Sequence, residues 1–221
     1  MVQGGSAEDV DANTGTTTVD PRRMTSAAEQ RILDAAKSCS EKWGFERVTI
    51  DDIANEAKVS RATLYRLFPG GKDVMFEAMR LQELEDFFNR LLGAIGTTDD
   101  FEELLVRAVV FSMQDMRDDH HLAVMMSTAP GETIDELTVS GVPRIIRVAS
   151  TFLTPLVQPF LGRREAGEVV ELLVRLVISG FLAPSERMDF TKEPDVRQFI
   201  RKIILPAYSG SLLTGVARPA P

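Results

Sequence analysis

The sequence is poor in the features that mark secreted, disulfide-bonded or membrane-spanning proteins. It contains a single cysteine, Cys39, so the chain cannot form an internal disulfide and suits a reducing compartment. No apolar run approaches the ~18–20 residues that cross a bilayer. The first residues lack the basic and then apolar pattern of a secretory signal. We therefore expect a cytoplasmic protein without a membrane segment.

Residues typical of catalytic or metal sites are also scarce. The two histidines, His120 and His121, are adjacent, and neighbours on a helix point about 100° apart, which makes them a poor chelating pair. The segment Gly70-Gly71-Lys72 does not fit a phosphate-binding loop. Arg66 and Asp73 stand where that motif needs Gly and Ser or Thr. The sequence therefore predicts no enzyme, no cofactor and no metal site.

The most informative segment, residues 49–72, has the layout of two short helices joined by a tight turn. Thr49 can cap the first of these helices, and Ser60 can cap the second. Pro69-Gly70-Gly71 should end the second helix near Phe68. Two short helices in this arrangement hold a recognition helix across the major groove of DNA.

The second of these helices carries the residues that could contact DNA. Leu64 and Phe68 are four residues apart and share one face, which should pack against the first helix. The other face is polar. Arginine can bind guanine bidentately, a small methyl can contact thymine, and hydroxyl groups or a lysine can bind phosphate. The predicted DNA-binding residues are Thr49, Ser60, Arg61, Ala62, Thr63, Tyr65, Arg66 and Lys72.

The same segment resembles the N-terminal domain of TetR-family transcriptional regulators. The resemblance extends from about Ile32 to Phe76 and rests on the string Thr49-Ile50-x-x-Ile53-Ala54-x-x-Ala57-x-Val59-Ser60-x-x-Thr63-Leu64-Tyr65-x-x-Phe68, followed by Lys72. It implies an all-helical homodimer with a DNA-binding head and a larger C-terminal domain for ligand binding and dimerisation.

The predicted fold is all-α throughout, because apolar residues recur at helical spacing and no strand-like alternation appears. We divide the chain into a disordered N-terminal arm (1–26), a three-helix helix-turn-helix DNA-binding domain (27–72), a helical ligand-binding and dimerisation domain (73–210) and a flexible tail (211–221). In the first helix, Ile32, Ala36, Cys39 and Trp43 form one stripe that we expect to be buried.

Charge is divided unevenly along the chain. The net charge is −8, yet residues 22–72 contain ten Lys or Arg and seven Asp or Glu, which gives +3 for this part and −11 for the rest. An acidic body would face away from phosphate. Arg22 and Arg23 end the N-terminal arm, which could enter a minor groove or serve only as a solvated linker.

A long helix from Lys72 to about Ile95 should connect the head to the body. Its inner face and those of later helices carry aromatic and methionine side chains, which can adapt to apolar ligands or simply fill a core. The candidate ligand-binding residues are Phe88, Leu91, Phe111, Met113, Met116, Met125, Met126, Phe152 and Phe181. Arg107, Arg144, Arg147 or Arg175 could receive an acidic group of a ligand, or be surface charges.

The last two main helices, about 165–182 and 195–208, carry more apolar residues than one face can bury, which predicts a homodimer through them. A dimer would present two recognition helices to a palindromic DNA operator. The resemblance implies a repressor, and the apolar candidate residues favour its release by a small apolar, lipid-like effector. A TetR-like activator and a non-enzymatic helical scaffold or interaction protein are the alternatives.

Overall fold

The computed structural model describes residues 27–215, which form helices and no strand. The predicted arm at 1–26 and the last six residues of the predicted tail lie outside the described residues. The helices are α1 (Ala27–Trp43), α2 (Ile50–Glu56), α3 (Arg61–Leu67), α4 (Lys72–Ile95), α5 (Phe101–Asp118), α6 (His120–Thr128), α7 (Pro130–Glu136), α8 (Val142–Val157), α9 (Arg163–Leu182), α10 (Glu193–Phe199), a π-helical segment (Ile200–Ile204) and α11 (Leu205–Gly215).

The head is formed by α1, α2 and α3 around a small apolar core. Thr49 caps α2 in a reciprocal arrangement: its side chain accepts from the backbone N–H of Asp52, whose carboxylate accepts from the Thr49 backbone N–H. The hydrogen bonds that Thr49 donates hold the pKa of Asp52 below its usual range. Lys58, with a φ of 55°, makes the tight turn, and the Ser60 side chain caps α3.

Helix α4 belongs to two hydrophobic cores. Near its start, Met75, Phe76 and Met79 pack into the core of the head. Farther along, Phe88 and Leu91 pack into the separate core of the body. The predicted domain boundary at residue 72 therefore falls at the first residue of α4, while the core of the head extends beyond it.

The body core is built mainly by α5, α8 and α9, against which the C-terminal helices pack. Arg197 of α10 bonds to Glu102 and Glu103 at the start of α5 and to Glu193 on its own helix. These carboxylates raise the pKa of the Arg197 guanidinium further above its already high value. The cluster fixes the C-terminal helices to the N-terminal end of α5.

Two expectations from the sequence are wrong, and one short helix was not expected. Trp43 is 44% exposed rather than buried, because it is the last residue of α1 and the chain turns away at Gly44, whereas Cys39 is buried as predicted. The unexpected helix, α7, begins at Pro130, since proline suits the first turn of a helix. The last helix does not end near Tyr208, because α11 continues to Gly215.

Candidate nucleic-acid interface and ligand cavity

Helix α3 presents a polar edge to solvent and an apolar edge to the head. Leu64 is fully buried and Phe68 caps the helix from within the core, which fixes the helix from behind. Its other face carries exposed side chains that no neighbouring helix covers, namely Arg61, Ala62, Tyr65 and Arg66. This is the geometry that the sequence predicted for a recognition helix.

Arg61 is held by an acidic neighbour on α2. Its Nε lies 2.9 Å from Oδ1 of Asp51, and both side chains are more than half exposed. The guanidinium retains other N–H donors and stays at the surface. Arg61 therefore has a preferred orientation before any partner binds, at the cost of a negative charge on the same surface.

The predicted hydroxyl contacts are already engaged within the head. The Thr49 hydroxyl lies 2.6 Å from Oδ2 of Asp52, and the Ser60 and Thr63 hydroxyls are 2.9 Å apart. These side chains cap helices α2 and α3 at the exposed surface. Their structural role is evident, and their contact with phosphate stays a prediction.

Lys72, at the start of α4, is also tied down. Its Nζ donates to the backbone carbonyl of Glu46 at 3.1 Å and lies 5.8 Å from the centre of the Phe76 ring. The ammonium is thus fixed beside the turn between α1 and α2. A contact between Lys72 and phosphate stays a prediction as well.

The body contains an apolar cavity of about 140 Å³ enclosed by α4, α5, α8 and α9. The hydroxyl of Ser112 is the one side-chain polar group among its lining residues. An engineered cavity of about this size lined by aliphatic and aromatic side chains can hold benzene. The cavity can therefore accept a small apolar group without rearrangement.

The structure brings three of the nine predicted ligand-binding residues to this cavity: Phe88, Leu91 and Met116. Met125 lines an adjoining recess instead. The others do not line either space. Four of them pack in or against the body core, namely Phe111, Met113, Phe152 and Phe181. The fifth, Met126, lies on α6. Sequence reasoning missed the wall supplied by α9, where Leu173, Val174, Val177 and Ile178 recur at helical spacing.

The adjoining recess, of about 200 Å³, is lined by both apolar and charged side chains and reaches Phe45 of the head. It shares Leu84, Phe87, Leu137 and Ile145 with the cavity, so the two spaces are neighbours. Its other lining residues include charged and aromatic groups from both domains: Phe45, Arg80, Glu83, Asp119, His121, Glu136 and Arg144. Of the four arginines considered from sequence, Arg144 alone lines either space.

Polar contacts join the head to the body beside this recess. His121 of α6 is buried, with Nδ1 2.8 Å from Oε1 of Glu41 on α1 and Nε2 3.6 Å from Oε1 of Glu83 on α4. Lys37 of α1 lies 2.8 Å from the same Glu83 oxygen. Burial opposes the charge on Lys37, but the hydrogen bond to Glu83 and the surrounding carboxylates raise its pKa. Lys37, Glu83 and His121 therefore join α1, α4 and α6 by polar contacts.

Residues 27–215 lack a metal-binding cluster and a membrane-spanning helix. Among residues 27–215, no group of three or more His, Cys, Asp or Glu side chains is arranged to hold a metal ion. Over the same described part of the chain, no helix is long and apolar enough to cross a membrane.

Comparison with known proteins identifies the head. Residues 32–79 match the family model described as bacterial regulatory proteins of the tetR family. The head therefore has the N-terminal domain of the TetR family. The all-helical architecture of the chain, with an N-terminal helix-turn-helix and a helical C-terminal domain, agrees with this assignment.

Proteins with related sequences are named as transcriptional regulators. An uncharacterized HTH-type transcriptional regulator of Mycobacterium tuberculosis is 37% identical over 98 residues, covering 44% of this chain and 49% of that protein. The matched segment thus spans about half the length of that relative. A second regulator of the same description and species is 27% identical over 200 residues, covering 89% of this chain and 95% of the relative. These TetR-like relatives are named as regulators and not as enzymes.

Solved structures share the fold. The TetR-family repressor AlkX from a Dietzia species, implicated in biodegradation of n-alkanes, has a TM-score of 0.61 at 21% identity and covers 83% of this chain and 96% of its own. The fatty acid degradation regulator FadR of Bacillus halodurans has a TM-score of 0.56 at 18% identity, with 82% and 98% covered. FadR of Bacillus subtilis, solved with stearoyl-CoA, has a TM-score of 0.50 at 19% identity, with 77% and 96% covered.

Proposed function

We propose that this protein is a ligand-responsive transcriptional repressor of the TetR family in the cytoplasm. It binds a palindromic operator as a homodimer and is released by a small apolar effector. The observation that carries the proposal is the course of α4. Its first turns pack in the core of the DNA-binding head, and Phe88 and Leu91 farther along form part of the cavity wall.

The exposed edge of α3 supports DNA as the partner. Arg61, Ala62, Tyr65 and Arg66 project together from a helix whose back is held by buried Leu64. Arginine, hydroxyl and methyl groups at this spacing can contact guanine, phosphate and thymine. Since the rest of the chain is acidic, the head is the part that suits a polyanion.

The apolar lining of the body cavity supports a lipid-like effector. Solved proteins with a similar fold include one implicated in biodegradation of n-alkanes and one bound to stearoyl-CoA. A ligand in the cavity contacts α4 directly, and a change in the tilt of α4 moves the head. Coupling of ~1–3 kcal/mol would change DNA affinity by ~5–150-fold.

Two exposed apolar side chains support dimerisation through the last two main helices. Leu172 on α9 is 42% exposed, and Ile203, between α10 and α11, is 57% exposed. Burying them against a second copy would remove apolar surface from water. A two-fold dimer would place two copies of α3 about one turn of DNA apart, ~34–36 Å, as a palindrome requires.

A gel shift with the DNA upstream of the protein's own gene tests the proposal. We expect retardation that weakens by orders of magnitude between ~50 and ~200 mM salt, because phosphate contacts release counterions. Arg61→Ala should weaken it markedly, whereas Arg164→Ala, at an exposed residue of α9, should not. A transcription assay from the same DNA separates repression from activation. No retardation in any condition would favour a helical scaffold or interaction protein instead.

A further inference from the structure

The recess next to the cavity has no role in the function proposed for the protein. Two guanidinium groups line it, from Arg80 on α4 and Arg144 on α8, with Glu136 at the end of α7 between them. Arg144 bonds to Glu136 and to Oε2 of Glu77, the latter at 2.6 Å. Burial lowers the pKa of Arg144, but Glu136 and Glu77 more than offset this and raise it. Arg144 is therefore a fixed positive charge.

Arg80 is less well satisfied than Arg144. Its Nε is buried and lies 3.2 Å from Oε1 of Glu136, yet it makes no hydrogen bond there. The guanidinium carbon stands 5.0 Å from the centre of the Phe45 ring, which belongs to the head. A buried N–H without a hydrogen-bond partner costs free energy, and a better-placed acceptor would recover it.

The remaining charges of the recess are engaged elsewhere. Glu83 pairs with Lys37, and Asp119 caps α6 by accepting from the backbone N–H of Leu122. His121 bonds to Glu41. Glu136 is therefore the recess-lining carboxylate that pairs with both arginines, while the more exposed Glu77 also lies within ion-pair distance of both.

We propose that this recess binds the acidic head group of an amphipathic ligand whose short apolar tail enters the cavity. The carboxylate of the ligand replaces that of Glu136 on Arg80 and Arg144. The ligand carboxylate also accepts from the Nε–H of Arg80, which Glu136 leaves without a hydrogen bond, so the head group adds to the affinity that burial of the tail supplies. The ligand class is an organic acid with a short alkyl or aromatic tail. The inference rests on the proposed function and specifies its effector.

The geometry also gives a route from this site to the head. Glu136 holds the end of α7 against α4 and α8, so its displacement frees α7 from both helices. Arg80 lies on Phe45, which makes an edge-to-face contact with Phe76 at 5.0 Å in the core of the head. A ligand acid that reorients Arg80 therefore acts on the head as well as on α4.

Calorimetry with octanoic acid and 1-octanol tests the proposal, since the two probes share a tail and differ in the head group. The wild-type protein should bind octanoate at least about tenfold more tightly than octanol, because hydrogen bonds to charged groups are the stronger ones. Glu136→Gln should strengthen octanoate binding and leave octanol unchanged. Arg144→Gln should remove the preference for the acid, whereas Arg147→Gln, on the exposed face of the same helix, should preserve it.

Equal affinity for the two probes, or no binding of either, would overturn the head-group site. Weaker octanoate binding by Glu136→Gln than by the wild-type protein would also overturn the head-group site. If Arg144→Gln does not fold, the comparison of Glu136→Gln with the wild-type protein tests the site instead. Octanoate preference without any effect on the DNA complex would leave the site standing and overturn the effector role. Release of DNA by both probes alike would support the effector role and overturn the head-group site.

Discussion

At the scale of single residues, contacts within the head shape the predicted DNA-binding surface. Thr49 and Ser60 are committed to helix caps, and Lys72 is committed to a backbone carbonyl. Arg61 is paired with an acid. Residue type and spacing predicted which side chains lie at this surface, but they did not indicate which were already engaged, because those partners depend on packing.

Asp51 should restrain binding to DNA of any sequence. Its carboxylate pairs with Arg61 and adds negative charge beside α3. We expect Asp51→Asn to strengthen binding to non-specific DNA by up to about fivefold, since exposed ion pairs contribute little individually. Fluorescence anisotropy measures this, with Glu171→Gln on α9 as the control. Unchanged or weaker binding by Asp51→Asn would contradict the assignment.

Thr49 should contribute to the stability of the head through its cap. Thr49→Ala removes the side-chain acceptor for the Asp52 backbone N–H and should lower the free energy of unfolding by about 1 kcal/mol. Thr49→Ser keeps the hydroxyl and should retain most of that stability. Urea unfolding followed by circular dichroism compares the three proteins. Equal losses for both variants would show that the hydroxyl is not the cause.

At the scale of elements, the long helices were predictable and the short ones were not. The bounds of α1 and α4 follow from local periodicity and from glycine at the C-terminal ends. Helix α7 was missed because seven residues that begin with Pro-Gly also fit a turn. The recess could not be predicted from the sequence, because Arg80, Glu136 and Arg144 lie on three different helices that meet only in the folded protein.

Two glycines should respond to alanine in opposite ways. A Cβ at Gly93, within α4, would meet no atom within 4 Å, so Gly93→Ala should stabilise the fold by about 0.5–1 kcal/mol. A Cβ at Gly141 would lie 1.6 Å from the carbonyl oxygen of Glu136, so Gly141→Ala should destabilise it by about 1–3 kcal/mol. Urea unfolding measures both. Destabilisation by Gly93→Ala or tolerance of Gly141→Ala would contradict the packing described.

At the scale of the whole molecule, the described residues form two hydrophobic cores joined by α4. The cavity and the recess lie on the body side of this junction. The resemblance to TetR-family regulators implied the two-part plan, and helical periodicity indicated α4 as its connection. It did not predict the cavity wall from α9, because an apolar stripe has the same pattern whether it fills a core or leaves a space. Polar contacts through Lys37, Glu83 and His121 also join α1, α4 and α6 at this junction.

Dimerisation should depend on the apolar residues exposed on the last helices. Leu172→Glu and Ile203→Glu place a charge where a second copy would bury a side chain, so each should shift the protein toward monomer. Val139→Glu, at a residue 82% exposed in the turn before α8, should not. Sedimentation velocity measures the assembly. A dimer that persists in both variants would place the interface elsewhere.

Sequence-specific binding to an operator requires α3 to contact bases and not only phosphate. The most direct measurement is a double-mutant cycle between Arg61→Ala and a guanine replaced in each half of the operator, by anisotropy at fixed salt. Loss of a bidentate contact predicts a coupling of ~1–3 kcal/mol per half-site, so that the variant no longer distinguishes the two DNA sequences. If no guanine position gave coupling, and Arg61→Ala weakened binding to every sequence equally, Arg61 would be contacting phosphate and its base-reading role would be contradicted.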